Sequence, residues 1–265
     1  MESVFADTLI ISDLHLGSDV SRAREACQMI RNAAFHRLIL LGDIFCDLNF
    51  GRLKKQHWQF LSMIRKLSNP KRGVEVVWVE GNHDRGLTDV MSHLVGVNVF
   101  QEYEWSFAGR RLLAIHGHQF DRFVINNAVL SRAGEWAYLH MQRFDSKRKL
   151  LSRFLDQQNS RWLRLSSKVA TGAIAFAKHR RADIVFCGHT HEARCVEQDG
   201  VQYFNSGCWT TARVPTFVTV SQDGVKIHEF APDDVNSATI DSELALTDTA
   251  ADQKEETAAL ILGGA

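Results

Sequence analysis

The sequence predicts an α/β protein in which helices cover β-sheets in layers. In the first third of the chain, short apolar runs typical of buried strands alternate with segments whose apolar residues recur at helical spacing. In the last third, strand-like runs follow one another, and Asp199-Gly200 and Asp223-Gly224 have the composition of hairpin turns. Strands that alternate with helices bury their apolar faces against one another, so we expect a layered fold.

The first third supplies five elements. Uninterrupted apolar runs identify the strands, and apolar residues three or four positions apart identify the helices. The predicted elements are, in order, a strand at 9–11, a helix at 22–34, a strand at 38–41, a helix that includes Trp58, Leu61, Ile64 and Leu67, and a strand at 74–79.

The rest of the chain combines strands with one long helical region. The predicted strands lie at 103–107, 111–115, 183–187, 193–197, 201–204, 216–220 and 226–230, and the helical region covers 120–178. Because this region interrupts a run of strands, we interpret residues 120–181 as an inserted lid within one domain, residues 1–231. Residues 232–265 are expected to form an acidic, disordered tail.

The composition favours a globular protein in a reducing compartment. The chain has 265 residues, 45% of them hydrophobic and only three of them proline, which excludes a collagen-like or disordered chain. No apolar run approaches the roughly 20 residues that span a bilayer, and residues 1–8 lack the features of a signal peptide. Because its five scattered cysteines form no Cys-x-x-Cys pair, we expect a cytoplasmic protein.

Charge is balanced over the chain but unevenly distributed. The chain has 31 basic and 31 acidic residues. Residues 122–181 contain 13 Lys and Arg against three acidic residues, whereas residues 232–265 contain eight acidic residues and a single lysine. The basic segment predicts an anionic partner, and the acidic tail is expected to be solvated.

Five short clusters of metal-binding residue types each follow a predicted strand. Loops at strand ends build functional sites in α/β proteins, and carboxylate, amide and imidazole groups are common ligands of divalent metals. One such cluster alone is weak support, but five in order predict a metal site. The clusters are Asp13-Leu14-His15, Gly42-Asp43, Gly81-Asn82-His83-Asp84, His116-Gly117-His118 and Gly188-His189-Thr190-His191.

In order and spacing the five clusters resemble the motif blocks of the calcineurin-like metallophosphoesterases. The family pattern is D-x-H, G-D, G-N-H-[DE], H-G-H or H-G-D, and G-H-T-H. This chain has SDLH, LGDIF, GNHD, HGHQFD and CGHTH within residues 8–205. The resemblance implies a four-layer αββα sandwich with a helical insertion. It also implies that two metal ions activate water, which attacks phosphorus in line.

The resemblance further implies a role for each clustered residue. Asp13, His15 and His191 would bind the first metal, Asn82, His116 and His189 the second, and Asp43 would bridge both, with His118 as a weaker ligand of the first metal or a support for a ligand. One carboxylate can bridge two cations because it has two oxygens, and two-metal hydrolases hold their ions roughly 3.5–4 Å apart. Oxygen and imidazole ligands without thiolate favour Mn²⁺, with iron or zinc as alternatives.

Two residues of the third cluster are the expected catalytic groups. By resemblance, His83 protonates the leaving oxygen or stabilises its charge, and Asp84 orients the His83 imidazole. The alternative is that His83 only supports the neighbouring ligand Asn82.

The motifs narrow the class of substrate. Protein phosphatases of this superfamily carry an arginine shortly after the Gly-Asp block, and residues 44–48 contain none, which argues against a phosphoprotein. The GDIF-x-D form, the HGHQFD block and residues 205–209 resemble the UDP-2,3-diacylglucosamine pyrophosphatases, which act in lipid A synthesis and release UMP. Those enzymes commonly have Arg where His83 stands and Asp where His118 stands. The chain therefore resembles less characterised relatives at least as much, and another phosphodiester or pyrophosphate is the alternative substrate.

The substrate-binding residues are expected within the insertion, residues 120–181. Its aromatic and aliphatic residues are interleaved with basic ones, as in helices that cap a pocket, hold acyl chains or rest on the inner face of a membrane. The same pattern fits nucleic acid, or a helical hairpin that only packs on the core. A non-catalytic interaction module with the same fold is a further alternative for the whole chain.

Overall fold

The computed structural model describes residues 4–86, 88–121 and 151–231, and the elements named here lie in these ranges. The strands are β1 (Val4–Ile11), β2 (Ala33–Leu41), β3 (Glu75–Val79), β4 (Val99–Phe100), β5 (Glu102–Phe107), β6 (Arg110–Ile115), β7 (Ile184–Cys187), β8 (Arg194–Gln198), β9 (Val201–Asn205), β10 (Thr216–Ser221) and β11 (Gly224–Glu229). The helices are α1 (Ala23–Asn32), α2 (Lys55–Leu67), α3 (Thr88–Val95) and α4 (Leu151–His179), and short 3-10 turns lie at Phe50–Arg52, Pro70–Arg72 and His118–Phe120.

The strands form two mixed sheets. The first sheet has the order β11-β10-β1-β2-β3-β4, in which β1 to β4 are parallel and β10 and β11 pair antiparallel. The second sheet has the order β5-β6-β7-β9-β8, in which β6, β7 and β9 are parallel. Parallel strands end at the same edge of their sheet, so the loops after β1, β2 and β3 are neighbours, as are those after β6 and β7.

Three apolar cores separate four layers. Ile39 of β2 and Phe186 of β7 belong to the core between the two sheets. Leu38 belongs to the core under α1, α2 and α3, and Val185 to the core under α4. Successive residues of a strand face opposite sides of the sheet, which is why β2 and β7 each contribute to two cores. The expected αββα sandwich is confirmed.

Helix α4 joins the helical region to the second sheet. Its residues Ala173, Ile174 and Ala177 are buried against that sheet. The helix is part of the crossover connection from β6 to its parallel neighbour β7. Parallel strands require such a connection. At least this part of the expected insertion is a layer of the sandwich.

The remaining parts of two predicted segments lie outside the described residues. These are residues 122–150 of the insertion, together with the side chains of 151–164, and the acidic tail at 232–265. The lid and the tail therefore stay predictions. Within the described part of the chain, each helix is either too short or too polar to cross a bilayer.

Most predicted strands are present in the structure, and the differences are shifted element boundaries and two elements that were missed. The helix expected over 22–34 ends at Asn32, because Ala33 already pairs with β1 as the first residue of β2. Asp199-Gly200 forms the turn between β8 and β9, with positive φ at both residues, as expected for this hairpin. Helix α3 and strand β4 have no counterpart among the predicted elements.

The buried face of α2 also differs from the expected one. Trp58 is 52% exposed although it has helical spacing with the buried Leu61 and Ile64. His57 is fully buried instead, since its Nδ1 lies 3.2 and 3.1 Å from the backbone N–H groups of Gly17 and Lys54 and accepts hydrogen bonds from them. A polar ring can be buried where the backbone supplies its partners.

Candidate metal centre

All five sequence clusters come directly after strands that end at one place in the fold. They follow β1, β2, β3, β6 and β7, at residues 13–15, 43, 82–84, 116–118 and 189–191. Side chains from the two sheets meet there: His116 Nε2 lies 3.6 Å from Asp13 Oδ1 and 3.6 Å from Asp43 Oδ2. The site is therefore built by both sheets at their carboxyl edges.

Asp13, His15 and His191 form the first group of metal-binding side chains. One ligand atom of each lies within 4.8 Å of the others. Nε2 of His191 is 3.1 Å from Asp13 Oδ1 and 3.1 Å from His15 Nε2, and Asp13 is fully buried. The structure thus brings together the three residues that the resemblance assigns to the first metal.

Asp43, His116 and His189 form the second group, with ligand atoms again within 4.8 Å of one another. Asn82, also expected here, has a buried Oδ1 that accepts no hydrogen bond from the described residues. Its neighbour His83 donates its backbone N–H to Asp43 Oδ1 at 2.9 Å, which ties the Asn82 loop to the carboxylate. The two groups are adjacent because His116 lies between the carboxylates of both.

The side chains fit divalent metal ions. In the described part of the chain, three buried site atoms make no hydrogen bond of regular geometry, although His191 Nε2 lies 3.1 Å from the first of them: Asp13 Oδ1, Asn82 Oδ1 and His116 Nε2. Unpaired buried polar atoms are rare because they lose hydration without compensation. A carboxylate oxygen, an amide oxygen and an imidazole nitrogen each have a lone pair for a cation, and such a set suits Mn²⁺, iron or zinc.

The protonation states of His15 and Asp43 suit metal binding. Burial, together with His191 and His83, lowers the pKa of His15 to about 3, so this imidazole is neutral at pH 7. Burial acts to raise the pKa of Asp43, but His116 and His83 outweigh it and hold that pKa at about 2. Neutral imidazole and ionised carboxylate are the forms that bind metals.

Several site residues have a backbone conformation that L-amino acids seldom adopt. Such residues lie in the left-handed region, which costs on the order of 1–3 kcal/mol each and is concentrated at functional sites. The surrounding strand ends impose this conformation, which turns the chain sharply at each cluster. The angle φ is 54° at Asp13, 50° at His15, 51° at Asp43, 66° at His189 and 53° at His191.

The His83 imidazole lies at the edge of the second group. Its Nε2 is 3.8 Å from Asp43 Oδ2, and its Nδ1 is 2.7 Å from the carbonyl oxygen of Cys46. The ring also packs edge-on against that of His15, with centroids 5.1 Å apart. His83 therefore lies next to both groups.

The Asp84 carboxylate binds backbone amides of the loop after β2. It accepts hydrogen bonds from the backbone N–H groups of Ile44 and Phe45, at 3.0 and 2.9 Å. Burial and the nearby Asp43 carboxylate raise the pKa of Asp84 to about 7. The expectation that Asp84 orients the His83 imidazole stays a prediction. The buried amides after Asp43 need an acceptor, and Asp84 supplies it.

His118 is buried but belongs to neither group. Its Nδ1 lies 3.1 Å from Nδ1 of His116, and its Nε2 lies 3.1 Å from Nη2 of Arg85. Burial and His116 lower the pKa of His118 to about 3. Of the two roles expected for it, these contacts favour support of the ligand His116 over direct binding of the first metal.

Two residues around the last cluster had no role in the sequence analysis. Asp121 Oδ2 lies 3.2 Å from Nε2 of His189, and the two side chains are 6% and 9% exposed. Asn205 donates its amide to the Gly188 carbonyl at 2.6 Å and to the Thr190 hydroxyl at 3.1 Å. Both lie in segments that the resemblance singled out, since Asp121 ends the HGHQFD block.

Comparison with known proteins identifies the family but no curated relative. A family model described as the calcineurin-like phosphoesterase superfamily domain matches residues 7–224. A comparison with curated proteins finds no match.

Several solved structures are similar to this chain at low sequence identity. A novel archaeal phosphodiesterase is 16% identical over 84% of this chain and 99% of its own, with a TM-score of 0.46. YfcE, a phosphoesterase from E. coli, is 15% identical over 86% and 99%, with a TM-score of 0.46. Vacuolar protein sorting 29 from Cryptosporidium parvum is 15% identical over 86% and 100%, with a TM-score of 0.44.

The family match begins within β1 and ends at the first residue of β11, so it includes both sheets and all five clusters. Because the matched region is most of the chain, and the observed sandwich and site residues agree with it, the chain belongs to the calcineurin-like phosphoesterase superfamily.

Proposed function

We propose that the chain is a hydrolase that uses two divalent metal ions to cleave a phosphodiester or pyrophosphate bond. The strongest support for this proposal is the pair of adjacent His/Asp groups. Buried atoms with lone pairs at this site make no hydrogen bond of regular geometry within the described residues. When bound, the ions, of which Mn²⁺ is favoured, lower the pKa of water and neutralise charge on phosphoryl oxygens. Asp13, His15 and His191 would hold one ion, Asn82, His116 and His189 the other, and Asp43 both.

His83 is the residue that we assign to the leaving group. A carbonyl oxygen only accepts hydrogen bonds, so the contact with Cys46 places a proton on Nδ1 of His83. Nε2 is then the nitrogen that can take up a second proton and give it to the leaving oxygen. The hydrogen bond to Cys46 also fixes the orientation of the ring.

Replacing His83 with Ala is expected to lower turnover by about 10²–10⁴-fold, the usual contribution of a general acid. Metal content should stay near that of the unmodified protein, because neither group contains His83. Steady-state kinetics and elemental analysis of the same preparation measure both quantities. His179→Ala, which removes an exposed imidazole at the end of α4, is the control. Loss of both metals in His83→Ala would contradict the assignment.

Metal binding is expected to stabilise the fold. Ligands that bind only the folded state at about 100 times their dissociation constant add about 2.7 kcal/mol to the free energy of unfolding. For a chain of this size, the midpoint of thermal unfolding should therefore rise by roughly 5–10 °C when Mn²⁺ is added to metal-free protein. Scanning calorimetry with and without EDTA measures the change. Equal midpoints under both conditions would argue against a metal site.

For the substrate, we propose a nucleotide-linked or lipid-linked pyrophosphate, with UDP-2,3-diacylglucosamine as the first candidate. The support is the resemblance of the GDIF-x-D and HGHQFD blocks and of residues 205–209 to the enzymes that cleave it. The excess of 13 basic over three acidic residues in 122–181 suits an anionic substrate and contact with an anionic membrane surface. The same excess suits nucleic acid, the alternative substrate.

Phosphorus NMR of the Mn²⁺-loaded protein with UDP-2,3-diacylglucosamine tests the proposal. Release of UMP and an acyl-sugar phosphate is the expected result. Bis-p-nitrophenyl phosphate is tested in parallel, and Asp43→Asn protein controls for a contaminating phosphatase. Cleavage of the diester alone would retain the chemistry and reject this substrate in favour of other diesters, including nucleic acids. Failure to cleave either compound would reject the hydrolase and favour a non-catalytic interaction module.

A further inference from the structure

The carboxylate of Asp121 faces the back of a histidine in the second group. Its Oδ2 lies 3.2 Å from Nε2 of His189, and both side chains are almost completely buried. Asp121 itself belongs to neither metal-binding group of the described residues. A buried carboxylate at this distance from an imidazole nitrogen makes a charge-assisted hydrogen bond.

The position of Asp121 is fixed by its surroundings. Its backbone N–H donates to the carbonyl of His118 at 3.1 Å, which closes the 3-10 turn after β6. In the same turn Phe120 packs on α4: its ring centroid lies 6.0 Å from that of Phe176. A Cβ atom on Gly172 would come within 2.8 Å of Phe120, so the turn and the helix are in close contact. The carboxylate is therefore held by the core and not by a free loop.

The contact determines which nitrogen of His189 carries the proton. An ionised carboxylate only accepts hydrogen bonds, so Nε2 of His189 is the protonated nitrogen and Nδ1 has the lone pair. The backbone of His189 is held separately, because its N–H donates to Asp13 Oδ2 at 3.0 Å. The remaining freedom of the residue is rotation of its ring, and the hydrogen bond to Asp121 restricts that rotation.

We propose that Asp121 is a positioning residue for the second metal, which holds His189 so that the lone pair of Nδ1 points to the ion. A carboxylate behind a metal-binding imidazole fixes the tautomer and the ring orientation and makes the imidazole more basic. The inference rests on the proposed function and deepens it. It concerns the second group, because the histidine that Asp121 contacts is His189.

The test is Mn²⁺ binding by metal-free Asp121→Asn and Asp121→Ala proteins, measured by calorimetry and by electron paramagnetic resonance. Asp121→Ala should weaken one of the two sites by about 10- to 100-fold and leave the other unchanged. At stoichiometric Mn²⁺, the resonance spectrum of the unmodified protein should show a spin-coupled Mn²⁺ pair. The spectrum of Asp121→Ala should show isolated Mn²⁺ instead. Asp121→Asn keeps the size and one acceptor oxygen, so its effect should be smaller, and it maintains the test if the alanine variant does not fold.

Asp183→Asn is the matched control. This carboxylate precedes β7, at the end of the strand opposite the site, and accepts a hydrogen bond from the Arg111 backbone at 2.8 Å. The Asp183→Asn protein should bind two Mn²⁺ with the affinities of the unmodified protein. Unchanged affinities in Asp121→Ala, or equal weakening of both sites, would overturn the inference while leaving the proposed function intact. If the unmodified protein itself binds no Mn²⁺ pair, the proposed function fails first.

Discussion

Asn in place of Asp43 is expected to lower hydrolysis by more than about 10²–10³-fold and to reduce bound metal from two ions to one or none. Removing one preorganised charge or hydrogen-bond donor at a reacting centre lowers the rate by this factor, and we assign Asp43 to both ions. The Asp43 carboxylate is buried with a pKa of about 2, so it is ionised at every pH at which the enzyme would be assayed. The substitution removes this charge without changing the size of the side chain.

Metal analysis and turnover of the same Asp43→Asn preparation measure the result. The variant should fold, since an amide oxygen can still accept the hydrogen bond that His83 donates from its backbone at 2.9 Å. Asp183→Asn again controls for a carboxylate-to-amide change outside the site. Two bound ions with turnover within tenfold of the unmodified protein would show that Asp43 does not bridge.

The second large effect is expected from a single methyl group, in Gly81→Ala. A Cβ atom on Gly81 would lie 2.2 Å from the backbone nitrogen of Asp43 and 2.2 Å from its Oδ1. The nitrogen cannot move away without displacing the end of β2, and Oδ1 belongs to the carboxylate that we assign to both metals. A displacement of about 1 Å in an active site can cost about 10²-fold in rate, and overpacking costs about 1–3 kcal/mol of stability.

Kinetics and thermal unfolding of Gly81→Ala measure the two effects. Gly51→Ala is the matched control, because its added Cβ would meet only the end of the Asn49 side chain, at 3.2 Å, in an exposed turn. We expect that control to keep its activity and stability. Full activity in Gly81→Ala would mean that the loops after β2 and β3 can separate without disturbing the site.

The layers and the site clusters could be predicted because apolar runs and motif blocks are local in sequence. The run at 38–41 is buried on both faces, so it is apolar throughout and indicates a strand. The preceding residues 33–37 alternate between partly buried and exposed, and the alanines at their start extended the predicted helix instead. Helix α3 has only eight residues and was missed between the blocks on either side of it.

The contacts that complete the site could not be predicted, because their partners are backbone groups. His83 is oriented by a carbonyl of Cys46, and Asp84 is occupied by two amides after Asp43. Every residue has such groups, so no pattern of side chains marks the ones that a fold brings into reach. The same reasoning explains why His57, whose partners are backbone N–H groups, was not recognised as a core residue.

The construction of each group from both sheets has a consequence for how the protein matures. The Nε2 atoms of His15 and His191 lie 3.1 Å apart, although the two residues are 176 positions apart in the chain. While a ribosome is still making the second sheet, the chain holds only part of each set of ligands. Complete loading of the two proposed metal sites would therefore follow synthesis of nearly the whole domain. The bound ions would then link the N-terminal and C-terminal halves of the domain.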